Sequence, residues 1–151
     1  MRELGVIIFC MLFLSCAGKP PENIGLHNGQ LTDCPNSPNC VTSQTTDADH
    51  SILPLKYKGE KKMAIIKLKK VIASLDSMTL VTENDPYLHI ECKSAIMGFV
   101  DDLEFYFSDE TLGDPPGEKT IQVRSASRLG YSDFGVNRKR VEQLRTLFAA
   151  E

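Results

Sequence analysis

The clearest signal along the chain is alternation. From Tyr87 to Ser94, Leu88, Ile90 and Cys92 alternate with Tyr87, His89, Glu91 and Lys93. From Phe99 to Ser108, Leu103, Phe105 and Phe107 alternate with Asp102, Glu104 and Tyr106. From Thr120 to Arg128, Ile121, Val123, Ser125 and Ser127 share one face, and Gln122, Arg124, Ala126 and Arg128 share the other. Met78 to Glu83 adds a shorter extended segment, closed by the turn-forming Asn84-Asp85-Pro86. Successive side chains of a strand point to opposite faces, so each segment predicts a strand with one inward and one outward face. Together they predict a four-stranded antiparallel sheet that is solvated on its polar side.

Two stretches change period. Within Gly59 to Asp76, Ile65, Leu68, Ile72 and Leu75 recur at three- and four-residue spacing, with Val71 beside them, and predict a helix. Lys61, Lys62, Lys67, Lys69 and Lys70 fill the rest of that helix and read as a solvated face. Arg138 to Ala149 predicts a second helix, with Val141, Leu144, Leu147 and Phe148 inward. Asn137 is placed to cap it, and Val136 and Val141 to staple it. The order is α-β-β-β-β-α. The predicted fold class is α+β, two-layer, with both helices packed on one face of the four-stranded sheet. Ile52-Leu53-Pro54-Leu55 reads as a short extended edge segment, where proline is tolerated. Asp109 to Glu118 reads as a hairpin loop, and Leu129 to Gly135 as an irregular turn whose Tyr131 and Phe134 anchor into the core.

The first fifteen residues do not fit this plan. Leu4 to Leu14 is an unbroken apolar run after Arg2 and Glu3, long enough for a signal-peptide core and too short to span a bilayer comfortably. It ends at Ser15-Cys16-Ala17-Gly18, which resembles the lipobox of bacterial lipoproteins, although Phe13 stands where that pattern prefers Leu. The resemblance implies cleavage before Cys16 and lipidation of its thiol. An uncleaved anchor and an ordinary secretory signal with a chance cysteine remain the alternatives. Residues 16–33 then read as a lipidated, flexible tether, and 34–151 as a single domain.

Composition supports a folded domain. Hydrophobic residues make up 42% and charged residues 25%, which argues against wholesale disorder. A net charge of -3 gives no electrostatic support for nucleic-acid binding. Export would place the remaining cysteines where disulfides persist. Cys34 and Cys40 bracket a turn-rich Pro35-Asn36-Ser37-Pro38-Asn39 and read as a local disulfide. Metal binding there is the weaker alternative, because the spacing is wider than the usual ligand pair. Cys92 reads as a buried free thiol.

Three segments resemble one family: Cys34-Pro35-Asn36-Ser37-Pro38-Asn39-Cys40-Val41, Phe99-Val100-Asp101-Asp102-Leu103-Glu104-Phe105, and the long run from Val123 through Leu129-Gly130-Tyr131-Ser132-Asp133-Phe134-Gly135-Val136-Asn137-Arg138 to Arg145. They are similar to the domain of unknown function 1499 (DUF1499) family, over about residues 31–148. That family includes bacterial lipoproteins and plastid members, and the resemblance implies no particular activity.

The candidate chemistry lies in the same segments. Asp101, Asp102 and Glu104 can meet Arg124, Arg128, Arg138 and Arg140 across paired strands, with Tyr131, Asp133 and Asn137 adjoining. Arginine forks bind carboxylate and phosphate well, so one reading is a ligand or partner site. The other is an ion-pair network that pins the Gly130–Gly135 turn to the sheet. Catalysis, with Asp102 or Asp133 acting beside an arginine, is the weakest of the readings. There is no Gly-x-Ser-x-Gly elbow, Asp101 and Asp102 point to opposite faces, and His27, His50 and His89 are scattered, with His89 read as a surface residue. No catalytic residue, metal ligand or cofactor is predicted. The expected function is a membrane-tethered, non-enzymatic interaction or assembly domain of the bacterial envelope, outside the cytoplasm. Its expected partners are the bilayer and an envelope protein. The alternative is a domain that binds a small anionic ligand.

Overall fold

The computed structural model describes residues 18–111 and 117–151, and the side chains among these except at 109–111. The predicted signal segment and Cys16 lie outside the described residues, as does the centre of the Asp109–Glu118 loop.

The alternating segments form the centre of one sheet. Four strands, β5 (Met78–Asn84), β6 (Tyr87–Lys93), β7 (Val100–Thr111) and β8 (Glu118–Ser127), run as an antiparallel meander. The sheet has six strands, not four. Two short ones, β3 (Cys40–Thr42) and β4 (Leu55–Lys58), share the outer edge of β8, with β3 against Arg124–Ala126 and β4 against Glu118–Ile121. The predicted extended segment at Ile52–Leu55 thus leads into an edge strand that starts just after Pro54. Three and four residues carry too little periodicity to read as strands in the sequence.

Two helices, α1 (Lys61–Ala73) and α2 (Val136–Ala150), supply the second layer. Ala64, Leu68, Val71 and Ile72 of α1, with Val141, Leu144 and Phe148 of α2, join Leu88, Ile90, Leu103, Phe105, Phe107, Ile121 and Val123 in one buried cluster. Each large apolar side chain there contributes about 1.5–3 kcal/mol by leaving water. The lysines of α1 work at its rim. The Lys67 ammonium lies 4.8 Å over the Phe148 ring, Lys69 pairs with Glu83 at 2.6 Å, and Lys70 pairs with Glu151 at 2.6 Å.

The opposite face of the sheet departs most from expectation. It is not solvated: Tyr87, His89, Asp102, Glu104, Arg124 and Ala126 are all buried. Residues read as a flexible tether cover it. β1 (Leu26–His27) and β2 (Gln30–Leu31) form a hairpin whose turn is Asn28-Gly29, both with positive φ (54° and 78°). Such a turn matches the twist of a two-residue hairpin. Strand β2 lies over β7 and β8, and Leu31 is buried. Two side chains fasten the hairpin: Gly25 N–H donates to Glu104 Oε1 at 2.9 Å, and Leu31 N–H to Gln44 Oε1 at 2.8 Å.

The start of α2 also differs. Gly135, in the left-handed region, precedes the helix, and Asn137 lies inside it, fully buried. The acceptor that caps the helix is Asp133: its carboxylate takes the N–H of Gly135 at 2.9 Å and of Asn137 at 2.7 Å. Val136 is therefore the first helical residue and is exposed, so it forms no staple with buried Val141. Among the described residues no helix is long and apolar enough to cross a membrane.

Candidate functional site

The acidic and basic residues singled out in the sequence do come together, but as two clusters on opposite sides of the sheet. Neighbours on β7 divide between them, because Asp102 and Glu104 point one way and Asp101 the other.

The first cluster lies under the β1–β2 hairpin. Cross-strand register sets it up: Glu104 opposes Arg124 on one side and His89 on the other, and Asp102 opposes Glu91. Asp102 accepts a two-pronged bond from Arg128, with Nε to Oδ2 at 2.8 Å and Nη2 to Oδ1 at 2.7 Å. The same Oδ1 is 2.8 Å from Nε2 of His89, and Arg128 Nη2 also reaches Glu91 at 2.5 Å. Glu104 takes Arg124 Nη1 on Oε2 at 2.9 Å, and the Tyr87 hydroxyl and Gly25 N–H on Oε1, each at 2.9 Å. Burial acts to raise the Asp102 carboxyl, but the hydrogen bonds and charges of Arg128 and His89 outweigh it and hold the group below the usual carboxylate range. Arg128 is in turn held more firmly protonated, chiefly by Asp102. Burial, then the Glu104 carboxylate, pushes the Tyr87 hydroxyl far up, so it stays protonated and donates to Glu104.

His89 is thus a buried partner of Asp102, not the surface residue its alternating position predicted. It borders an open cavity of about 460 Å³ lined also by Ile24, Gly25 and Leu26 and by Thr82 and the Asn84–Tyr87 turn.

The second cluster lies where α2 begins. Asn137 is its centre. Its Oδ1 accepts from Ser125 Oγ at 2.5 Å and Arg140 Nη1 at 2.6 Å. Its Nδ2 is within hydrogen-bond distance of Asn39 O, Ser127 Oγ and Asp133 Oδ2, at 3.1, 2.9 and 2.9 Å. Arg140 also pairs with Asp101 at 2.6 Å. A disulfide, Cys34–Cys40, closes the loop that presents Asn39, whose Nδ2 donates to Gly130 O at 2.7 Å. Asn39 O also accepts Ser127 N–H at 3.0 Å.

A family model described as "Protein of unknown function (DUF1499)" matches residues 30–148. The chain belongs to that family. A search of the curated proteins gave no match. In this DUF1499 domain the three segments that carry the resemblance converge on the second cluster. The cysteine loop supplies Asn39, β7 supplies Asp101, and the long third segment supplies Ser125, Ser127, Asp133, Asn137 and Arg140.

Other candidate residues sit elsewhere. Arg138 leaves both clusters and donates to the carbonyls of Ser51 at 2.7 Å and Asp49 at 3.0 Å, tying down the loop before β4. Tyr131 and Phe134 are not core anchors. They are exposed, because the Asp133 cap and the left-handed Phe134-Gly135 pair turn this stretch outward. Cys92 is a buried free thiol, and burial pushes it up to about 11, so it is not a thiolate at neutral pH.

Sequence reasoning missed His50. It is buried, with Nδ1 2.7 Å from Asp47 Oδ2 and Nε2 3.1 Å from Ser37 O. The Asp47 hydrogen bond raises its pKa above the usual histidine value and lowers that of Asp47. Among the described residues no group of three or more His, Cys, Asp or Glu is arranged to hold a metal ion.

Proposed function

We propose that this protein is an envelope lipoprotein whose folded part is a non-enzymatic interaction or assembly domain, held at a membrane through Cys16. Support for the tether is the apolar run Leu4–Leu14 ending at Ser15-Cys16. The non-catalytic reading rests on the state of the charged groups. The carboxylates and guanidinia of both clusters are turned onto one another, and at their centres they are buried. Arg128, Arg124 and Arg140 are engaged with internal carboxylates at 2.5–2.9 Å, and a ligand anion would have to displace those partners. That weighs against the anion-binding alternative. The second cluster joins disulfide loop, sheet and helix into one rigid end, suited to presenting a fixed surface.

Acyl labelling tests the tether. The full chain expressed in bacteria with a radiolabelled fatty acid should incorporate label and enter the detergent phase, and Cys16→Ala should do neither. A labelled Cys16→Ala protein would overturn the reading.

A further inference from the structure

One end of the domain displays a group of large apolar side chains. It is built from the β6–β7 turn and the stretch between β8 and α2. Ile96 is 93% exposed, Phe134 89%, Tyr131 74% and Met97 64%, and Phe99, Leu129 and Val136 are exposed beside them. Phe99, Leu129, Phe134 and Val136 surround one shallow cavity of about 230 Å³. Phe134 is held outward at a cost. Its φ is 55°, a region that a bulky side chain rarely adopts, and its neighbour Gly135 is left-handed too. Exposed apolar groups gathered at one end in this way mark contact surfaces.

The position of the chain's N-terminal side says what covers them. Gly18 packs against the same end of the domain: a Cβ built on it would lie 3.1 Å from Arg128 Cβ and 3.2 Å from Leu129 Cγ. Cys16 is two residues earlier, and two residues of fully extended chain reach about 7 Å. Acyl chains on Cys16 would therefore start no more than about 7 Å from Gly18, which lies against Leu129, and not at the end of a long spacer. The lysines adjoining it are Lys19, Lys93 and Lys139, all exposed, with the Lys93 stem beside Gly98 of the β6–β7 turn. Two nearby carboxylates, Asp101 and Asp133, are engaged with Arg140 and with the α2 cap. Apolar and aromatic tips with exposed lysines close by in the chain suit the boundary between acyl chains and anionic headgroups.

We infer that this end, with Ile96, Met97, Tyr131 and Phe134 foremost, inserts into the bilayer surface, so that the domain is held in one orientation and does not swing on its anchor. The inference rests on the lipid tether proposed above for the identity of the anchor. The opposite end of α2, where Leu53 is 74% exposed beside Arg145 and Phe148, faces away from the membrane.

The chain contains no tryptophan, so a single introduced Trp reports its own depth. Full-length Phe134→Trp, Ile96→Trp and Leu53→Trp proteins, purified from membranes, are reconstituted into phosphatidylcholine–phosphatidylglycerol vesicles with and without brominated acyl chains. Emission of Phe134→Trp and Ile96→Trp should shift to the blue on vesicles of either kind and be quenched by brominated lipid, and Leu53→Trp should show neither effect. Quenching of all three alike, or of none while the protein stays on the vesicles, would overturn the inference and leave the tether standing. Failure of the tether shows separately, as acyl label retained by Cys16→Ala, and the quenching contrast then still decides which end meets the bilayer.

Discussion

The two faces of β7 are buried by different physics. Phe105 and Phe107 lose water to α1, α2 and the rest of the apolar cluster. Asp102 and Glu104, just before them on the strand and on its other face, lose water to a hairpin of four paired residues and to the charges of their neighbours. The first face gains from each apolar group nearly independently. The second is favourable only when complete, because a buried charge without its partner costs several kcal/mol, more than the pair contributes.

Removing one member from each face is the most severe test of that difference. Phe105→Ala should cost about 3–5 kcal/mol through lost transfer and the cavity left behind. Glu104→Gln should cost about 3–5 kcal/mol by a different route, since the amide still accepts from Tyr87 and Gly25 and the Arg124 charge is left buried and unpaired. The routes separate in the double variants. Adding Arg124→Met to Glu104→Gln should recover much of the loss in urea unfolding, and adding it to Phe105→Ala should recover nothing. A Glu104→Gln cost within error of zero would mean that water reaches this face.

Acid sharpens the same contrast. The Asp102 pKa is lowered in the folded protein, so its contribution is fully present above the unfolded carboxylate value of about 3.9 and is lost as pH falls through the lower folded value. The urea midpoint should therefore fall steeply at the acid end. Asp102→Asn should be less stable at pH 7 and lose less on acidification, whereas Phe105→Ala should lower the whole profile and keep its shape. An unchanged slope in Asp102→Asn would assign the acid sensitivity to other carboxylates.

The second cluster lies between these extremes, being polar and stapled covalently. The Cys34–Cys40 loop closes over a separation of six residues, for which chain entropy gives about 2 kcal/mol. Cys34→Ser should cost about that much, and it should loosen Asn39 first, seen as faster amide exchange at Ser127, whose N–H donates to Asn39 O. Exchange that speeds up only within the cysteine loop would show the loop to be an ornament on the cluster, not a part of it.

The helix-covered face was legible in the sequence, and the other face was not. Leu103, Phe105 and Phe107 announce both a strand and its inward side, because apolar alternation and burial have one cause. Asp102 and Glu104 announce the strand and mislead about the side, since charge in a sequence says nothing about a partner twenty or more residues away. The cover itself left a signal: Asn28-Gly29 between Leu26-His27 and Gln30-Leu31 is a hairpin pattern, too short to outweigh the surrounding polar residues. Asn137 was misassigned for a related reason. Its residue type favours a cap, and its actual partners, Asn39, Ser125 and Ser127, become neighbours only once three distant segments meet. The disulfide was legible because its determinants are local.

The smallest expected effect shows that distance alone does not separate the two kinds of pair. Lys69 and Glu83 lie 2.6 Å apart, as close as Arg140 and Asp101. Their side chains are 38% and 44% exposed, against 13% and 12% for the arginine pair. Water already solvates both ends of the lysine pair and salt screens it, so Lys69→Ala should cost about 0.2–1 kcal/mol, less at 1 M salt than at low salt. Arg140→Ala should cost several times more at either salt concentration, because Asp101 loses its charged partner and the Asn137 side-chain oxygen keeps only Ser125 in a site that water does not enter freely. Equal costs for the two substitutions would mean that burial is not what distinguishes the charged clusters of this domain from its surface pairs.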